Sequence, residues 1–262
     1  MCFGSGMTGH RSSATVRPIT TRNSWAGKIK DAGGRWVLDS PAGNGMAHFL
    51  HNLFYLLGED ATSSAAPVDV VAELYRVNPI ENLDTAICRA HTESGAELLF
   101  YATHATQSEQ SPRFQLEFMD AVVSFNETTP EIVARTGDGQ VRSYGSPDGD
   151  SQFKKLFDAV RAVRTLERPV CGPEAARAQC LCANGMQDSV AEIGSFPASI
   201  IRRNQKEKRW LVDGLDDVLR ECYRKNALPS EIGVPWAKQG LMIDLRRYSH
   251  YPGPERAKHT GG

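Results

Sequence analysis

The sequence predicts an α+β fold: one large, mostly antiparallel β-sheet with helices on one face. Three observations lead there. The middle of the chain alternates apolar and polar residues with period two, turn signals interrupt it at hairpin spacing, and amphipathic segments of helical period flank it. At 262 residues the chain is long enough for one large domain or two small ones and can bury about three quarters of its unfolded surface.

Residues 1–24 are rich in Gly, Ser, Thr and Arg without a sustained period, so they read as an irregular leader. Within them Gly4-Ser5-Gly6-Met7-Thr8-Gly9 matches G-x-G-x-x-G. That fingerprint holds a pyrophosphate only where a strand feeds the loop and a helix leaves it. Here too little chain precedes Gly4, and His10-Arg11-Ser12-Ser13 opens no apolar stripe, so a nucleotide loop is not expected.

From Trp25 to Gly58 a strand, a small-residue loop and a helix follow one another, with Gly58 as the residue after the helix. On that helix His48, His51, Asn52 and Tyr55 stand at i, i+3, i+4 and i+7, so two imidazoles, an amide and a phenol share one face. Met46, Phe49, Leu50, Leu53, Phe54, Leu56 and Leu57 remain for packing. A merely solvated face would carry Lys and Glu, so this face, with Asp39 upstream, reads as a polar wall over a pocket.

Strands are expected over 68–78, 84–93, 96–106, 113–126 and 131–145, with hairpin tips at Thr92–Gly95 and Gly137–Gly139. Phe114, Leu116, Phe118 and Tyr101 would leave the second sheet face apolar, which points to a homo-oligomer. Amphipathic helices are expected at 151–166, with Ser151 as N-cap, at 171–190, with Pro173 in the first turn, and at 214–226. Residues 25–251 form the domain and 252–262 a frayed tail.

Other features narrow the function. The formal net charge of −1 gives no field toward nucleic acid, and no apolar run is long enough for a membrane span. Six cysteines in 262 residues fit reduced thiols and a cytoplasmic location. Cys180 and Cys182 point to different helix faces and, with Cys171, lack C-x-x-C spacing, so buried free thiols are expected. His48 and His51 are spaced for two metal ligands, but no second pair accompanies them. A metal-dependent hydrolase is therefore a minor alternative, and no metal is expected.

Gly33–Gly58, the run Glu73-Leu74-Tyr75-Arg76-Val77-Asn78-Pro79 and Ser230–Ala237 resemble the C-terminal domain of the glucose–fructose oxidoreductase/inositol dehydrogenase (Gfo/Idh/MocA) family. The resemblance covers roughly Trp25 to Tyr251. It implies a domain that shapes a sugar or polyol pocket and mediates oligomerisation, beside a Rossmann domain that carries NAD or NADP. It also matches Gly33-Gly34 to the family's glycines, Asp39 to its acid and His48 to its histidine, as the catalytic pair. This chain departs in its longer Ser40–Ala47 loop and in having His51 where the family has Asp.

In that role His48 moves a proton or holds the reacting hydroxyl, with Asp39 or Asn52 fixing its tautomer. His51, Asn52, Tyr55, Arg76, Asn78, Glu174 and Gln179 are the expected substrate contacts, and Trp236 is a core anchor. The family's Rossmann domain and Glu-Lys-Pro lysine motif have no match in this chain. Tight NAD(P) binding by it alone is therefore not expected. The alternative is a stand-alone ligand-binding or oligomerisation module without catalysis.

Overall fold

The computed structural model describes residues 2–6, 23–107, 112–126, 130–147 and 153–253. The expected α+β fold with a mostly antiparallel sheet is what forms. Ten strands make the main sheet: β1 Cys2–Gly6, β2 Pro67–Arg76, β3 Thr85–Thr92, β4 Glu97–Thr103, β5 Arg113–Glu117, β6 Ala121–Asn126, β7 Glu131–Thr136, β8 Val141–Ser143, β9 Gly194–Ser195 and β12 Ile243–Asp244. Their order is β12-β2-β3-β4-β1-β5-β6-β7-β8, with β9 beside β2. A separate hairpin pairs β10 Ile201–Asn204 with β11 Arg209–Val212. The helices are α1 Ala47–Leu56, α2 Lys154–Thr165, α3 Pro173–Ser189 and α4 Leu215–Lys225.

Alternation along the central strands separates two cores. Val70, Ala72 and Leu74 of β2, with Leu98, Phe100 and Ala102 of β4, face α1 and α3. Val71 and Tyr75, with Leu99 and Tyr101, face α4 and the β10–β11 hairpin. α1 inserts Leu50, Leu53 and Phe54 at i, i+3 and i+4, each contributing about 1.5–3 kcal/mol of burial. α4 carries Asp216 and Asp217 in its first turn and Arg224 and Lys225 in its last, matching its dipole.

Several local expectations are corrected. Helices lie on both faces of β2–β4, because α4 covers the side opposite α1 and α3. Tyr101 is accordingly buried, its hydroxyl donating to the carbonyls of Cys222 and Ala227, while Leu116 joins the other core. They do not share one free apolar face. Cys2–Gly6 is a strand rather than irregular chain, parallel to β4 and antiparallel to β5. Residues 113–126 are two strands, not one, turned at Met119-Asp120.

The strand expected before α1 shrinks to a single bridge between Lys30 and Trp36, because Leu38 takes a left-handed φ of 49°. Gly58 does follow the helix cap, but its φ is not positive. A Cβ there would stand 2.2 Å from the Ser63 carbonyl oxygen, so close approach explains this glycine. The hairpin tips at Gly95 and Gly139 form as expected, with φ of 81° and 86°. Ser151, residues 7–22 and 254–262 lie outside the described residues.

Candidate functional site

Asp39 is held where the chain enters a single π-helical turn, Pro41–Gly45, ahead of α1. Its side chain is buried and works inward. Oδ2 accepts from the Gly27 N–H at 2.5 Å and Oδ1 from Asn44 Nδ2 at 2.7 Å. Its carbonyl accepts from Asn82 Nδ2 at 3.0 Å, and Gln187 of α3 donates to Asn82 Oδ1 at 2.8 Å. Gln179 of α3 donates to the Ala42 carbonyl at 2.6 Å. Thus α3 fastens the turn at two points, one direct and one through Asn82. His104 borders it: a Cβ at Gly45 would stand 3.3 Å from its Nε2.

Neither Asp39 carboxylate oxygen is directed to His48 by these bonds. His48 is exposed on α1, its ring against Phe49 at 3.9 Å between centroids. Burial, then the charge of Lys155 on α2, holds His48 below the usual imidazole range. Asn52 is exposed one turn on.

His51 and Tyr55 are half-buried and stack with centroids 5.5 Å apart. Burial lowers His51 as well. Its Nε2 lies 3.2 Å from the sulfur of Cys171, and its buried Nδ1 has no partner among the described residues. The Tyr55 hydroxyl donates to the Ala61 carbonyl at 2.5 Å, and burial, then Cys171 and Asp60, push that phenol up.

The remaining expected contacts are dispersed. Arg76 donates to the Glu81 carbonyl, and Glu81 pairs with Lys28. Asn78 is buried and structural: it donates to Asp84 Oδ2 from its backbone N–H at 2.8 Å and from Nδ2 at 2.9 Å, and its Oδ1 accepts from Trp210. Complete burial pushes Asp84 up. Glu174 is exposed in the first turn of α3.

The structure therefore brings His48, His51, Asn52 and Tyr55 onto one helix as read, with Asp39 and Gln179 securing the turn before it. It leaves Arg76 and Asn78 with the β2–β3 connection. Sequence reasoning missed Asn44, Asn82, Gln187, Lys155 and Cys171. Only Asn44, inside a loop of small residues, gave a signal. Trp236 is an anchor as expected, set edge-on against Tyr75 and Phe196. Cys88, Cys182 and Cys222 are buried, but Cys171 and Cys180 are exposed, correcting the expectation for those two.

Among the described residues no group of three or more His, Cys, Asp or Glu side chains is placed to hold a metal ion. No helix among them is long and apolar enough to cross a membrane. Gly4 and Gly6 of the G-x-G-x-x-G run lie inside a strand paired on both sides, and Met7-Thr8-Gly9 lie outside the described residues.

This architecture is the fold shared with oxidoreductases of the Gfo/Idh/MocA type. The UDP-N-acetylglucosamine 3-dehydrogenase GnnA of Acidithiobacillus ferrooxidans superposes over 72% of this chain and 53% of its own, with a TM-score of 0.53 and 15% identity. Levoglucosan dehydrogenase, solved with NADH and L-sorbose, superposes over 81% and 58% respectively, with a TM-score of 0.53 and 14% identity. The chain spans just over half the length of these structures. No protein-family profile matches the sequence, and no curated protein matches it.

Proposed function

We propose that this chain is the substrate-binding and assembly half of an NAD(P)-dependent oxidoreductase, taking a sugar, polyol or related carbonyl compound at the polar face of α1. The observation that carries the reading is that face itself. His48 and Asn52 are open to solvent and His51 and Tyr55 half-buried beside them, on a fold shared with sugar dehydrogenases. With its ring uncharged at neutral pH, His48 has a lone pair that accepts a hydrogen bond, or a proton, from a substrate hydroxyl. Asp39 acts as a positioning residue, fixing the turn that launches α1. Glu174, Arg76, Asn78 and Gln179 shape the surroundings rather than the contact.

Hydride transfer needs a nicotinamide, which the second domain of a complete enzyme would supply. Assembly uses the β5–β8 end of the sheet, where Phe118, Met119, Val141 and Tyr144 are exposed. That exposure also favours the second reading, a binding and oligomerisation module without catalysis. The described cysteines are free thiols, which fits a reducing compartment such as the cytoplasm.

The test is calorimetric titration of the chain with L-sorbose, levoglucosan and UDP-N-acetylglucosamine. Saturable binding with Kd on the order of 1 mM or tighter is expected. The His48→Ala and Asn52→Ala variants should lose it without a lower Tm. Binding that survives both substitutions, or no binding at all, overturns the reading. A parallel NADH fluorescence titration should show no low-micromolar saturation.

A further inference from the structure

Cys171 lies just before α3 and reaches α1 from across the chain. Its sulfur is 3.2 Å from Nε2 of His51, and the thiol is exposed. The imidazole also stacks on Tyr55, and its buried Nδ1 has no partner among the described residues. A soft nucleophile on an exposed residue thus stands against a nitrogen base. Such a pair is built from three separate segments: α1, the turn before α3, and the 60–64 loop that holds Tyr55 through Ala61.

Charged and titratable groups adjoin it from both helices. Tyr55 and Asp60 adjoin from the α1 side, and Glu174 opens α3, its Oε2 3.0 Å from where a Cβ on Gly172 would sit. Burial lowers His51, so its ring rests uncharged.

We propose that Cys171 is a covalent modification site, a thiol activated by His51 that exchanges with low-molecular-weight disulfides. The Cys171 sulfur attacks one sulfur of the disulfide, and its proton passes to His51 Nε2. A new S–S bond joins Cys171 to that sulfur while the old one breaks. The departing thiolate takes the proton back from His51 and leaves as a thiol. Cys171 is oxidised, the released sulfur is reduced, and no other reactant is needed. The adduct stands on the His51–Tyr55 part of the α1 face. This inference does not depend on what α1 binds.

The chain contains its own control. Cys180 is also exposed, and among the described residues its thiol has the Gln179 amide oxygen as its hydrogen-bond acceptor, at 3.4 Å. Trypsin places Cys171 on peptide 165–177 and Cys180 on 178–202, which also carries the buried Cys182, so fragment-ion spectra assign the label to Cys180. The experiment treats the folded chain with oxidised glutathione, and separately with iodoacetamide, and follows both peptides by mass spectrometry. Cys171 should react about tenfold faster than Cys180 near neutral pH, and the ratio should fall toward one in denaturing urea, about 8 M. His51→Gln should remove the advantage of Cys171 while leaving the Cys180 rate unchanged, which shows that the variant is folded. Should that variant unfold, the wild-type ratio in buffer against urea decides alone. Equal rates in the folded chain, or an advantage that survives in folded His51→Gln, overturns the proposal.

Discussion

Asn44 donates its side-chain amide to Asp39 across 2.7 Å, closing the turn that precedes α1 from within. With the other oxygen on the Gly27 N–H, this carboxylate satisfies two donors in a buried place. Asp39→Ala strands both, and a buried unsatisfied donor costs about 1–3 kcal/mol. We expect a loss of about 2–3 kcal/mol in urea unfolding. Asp39→Asn should lose less than about 1 kcal/mol, because the Asn44 amide can flip and accept from the new one. If Asp39 were instead an acid beside the reacting carbon, Asp39→Asn would abolish turnover in a complete enzyme while keeping this stability.

The lowered histidines fix a sign for pH dependence. His48 and His51 both titrate below the unfolded value near 6.5, so the unfolded chain binds more protons in that interval. Stability should therefore rise with pH through the window just below 6.5 and flatten above it. Asp84, raised by burial, acts with the opposite sign above its own unfolded value of 3.8. The difference between wild type and His48→Gln/His51→Gln isolates the histidines. Chemical denaturation at several pH values should give that variant a shallower rise, and an unchanged slope would refute the assignment.

How much of this was legible in the sequence follows from which forces act locally. The α1 face was readable because its helical spacing is a property of the segment alone, and so were the hairpin tips with their glycines. The position of α4 was not, because period two in β2 and β4 is compatible with one or two covered faces. Only the packing of Leu215, Leu219 and Cys222 on Tyr75 and Tyr101 decides that. Cys2–Gly6 was hidden for a similar reason: its strand is stabilised by β4 and β5, far away in the chain, rather than by its own glycine-rich propensity. Cys171 and His51 meet only through tertiary structure, as do Asn82 and Gln187.

Gly185 offers a sharp packing test. It lies within α3 against the sheet, and a Cβ would meet Val70 Cγ1 at 2.7 Å and Leu245 Cδ2 at 2.8 Å. Alanine normally gains about 1 kcal/mol in a helix interior, whereas overpacking costs about 1–3 kcal/mol. Both opposing side chains are themselves buried, so neither can swing into solvent. Gly185→Ala should therefore lower stability by about 1–2 kcal/mol, measured as a shift in denaturation midpoint. A gain would mean that α3 lifts off β2 more freely than this contact allows.

Assembly can be assigned to a surface by substitution. Among the regions that expose large apolar side chains, two lie on or beside regular elements: Phe118, Met119, Val141 and Tyr144 around β5–β8, and Phe153, Leu156, Phe157, Val160 and Val163 along α2. α2 buries none of its residues, so it too has an uncovered apolar stripe. The sheet reading expects light scattering to find a dimer or larger, and Met119→Asp with Val141→Asp to convert it to monomer. Because both residues are exposed, the monomer should unfold within about 0.5 kcal/mol of the wild-type value extrapolated to low concentration. Phe157→Asp should leave the assembly intact. Were it the α2 substitution that dissolved the oligomer, the sheet edge would be an ordinary solvated surface, and α2 would be the face that seats a second copy.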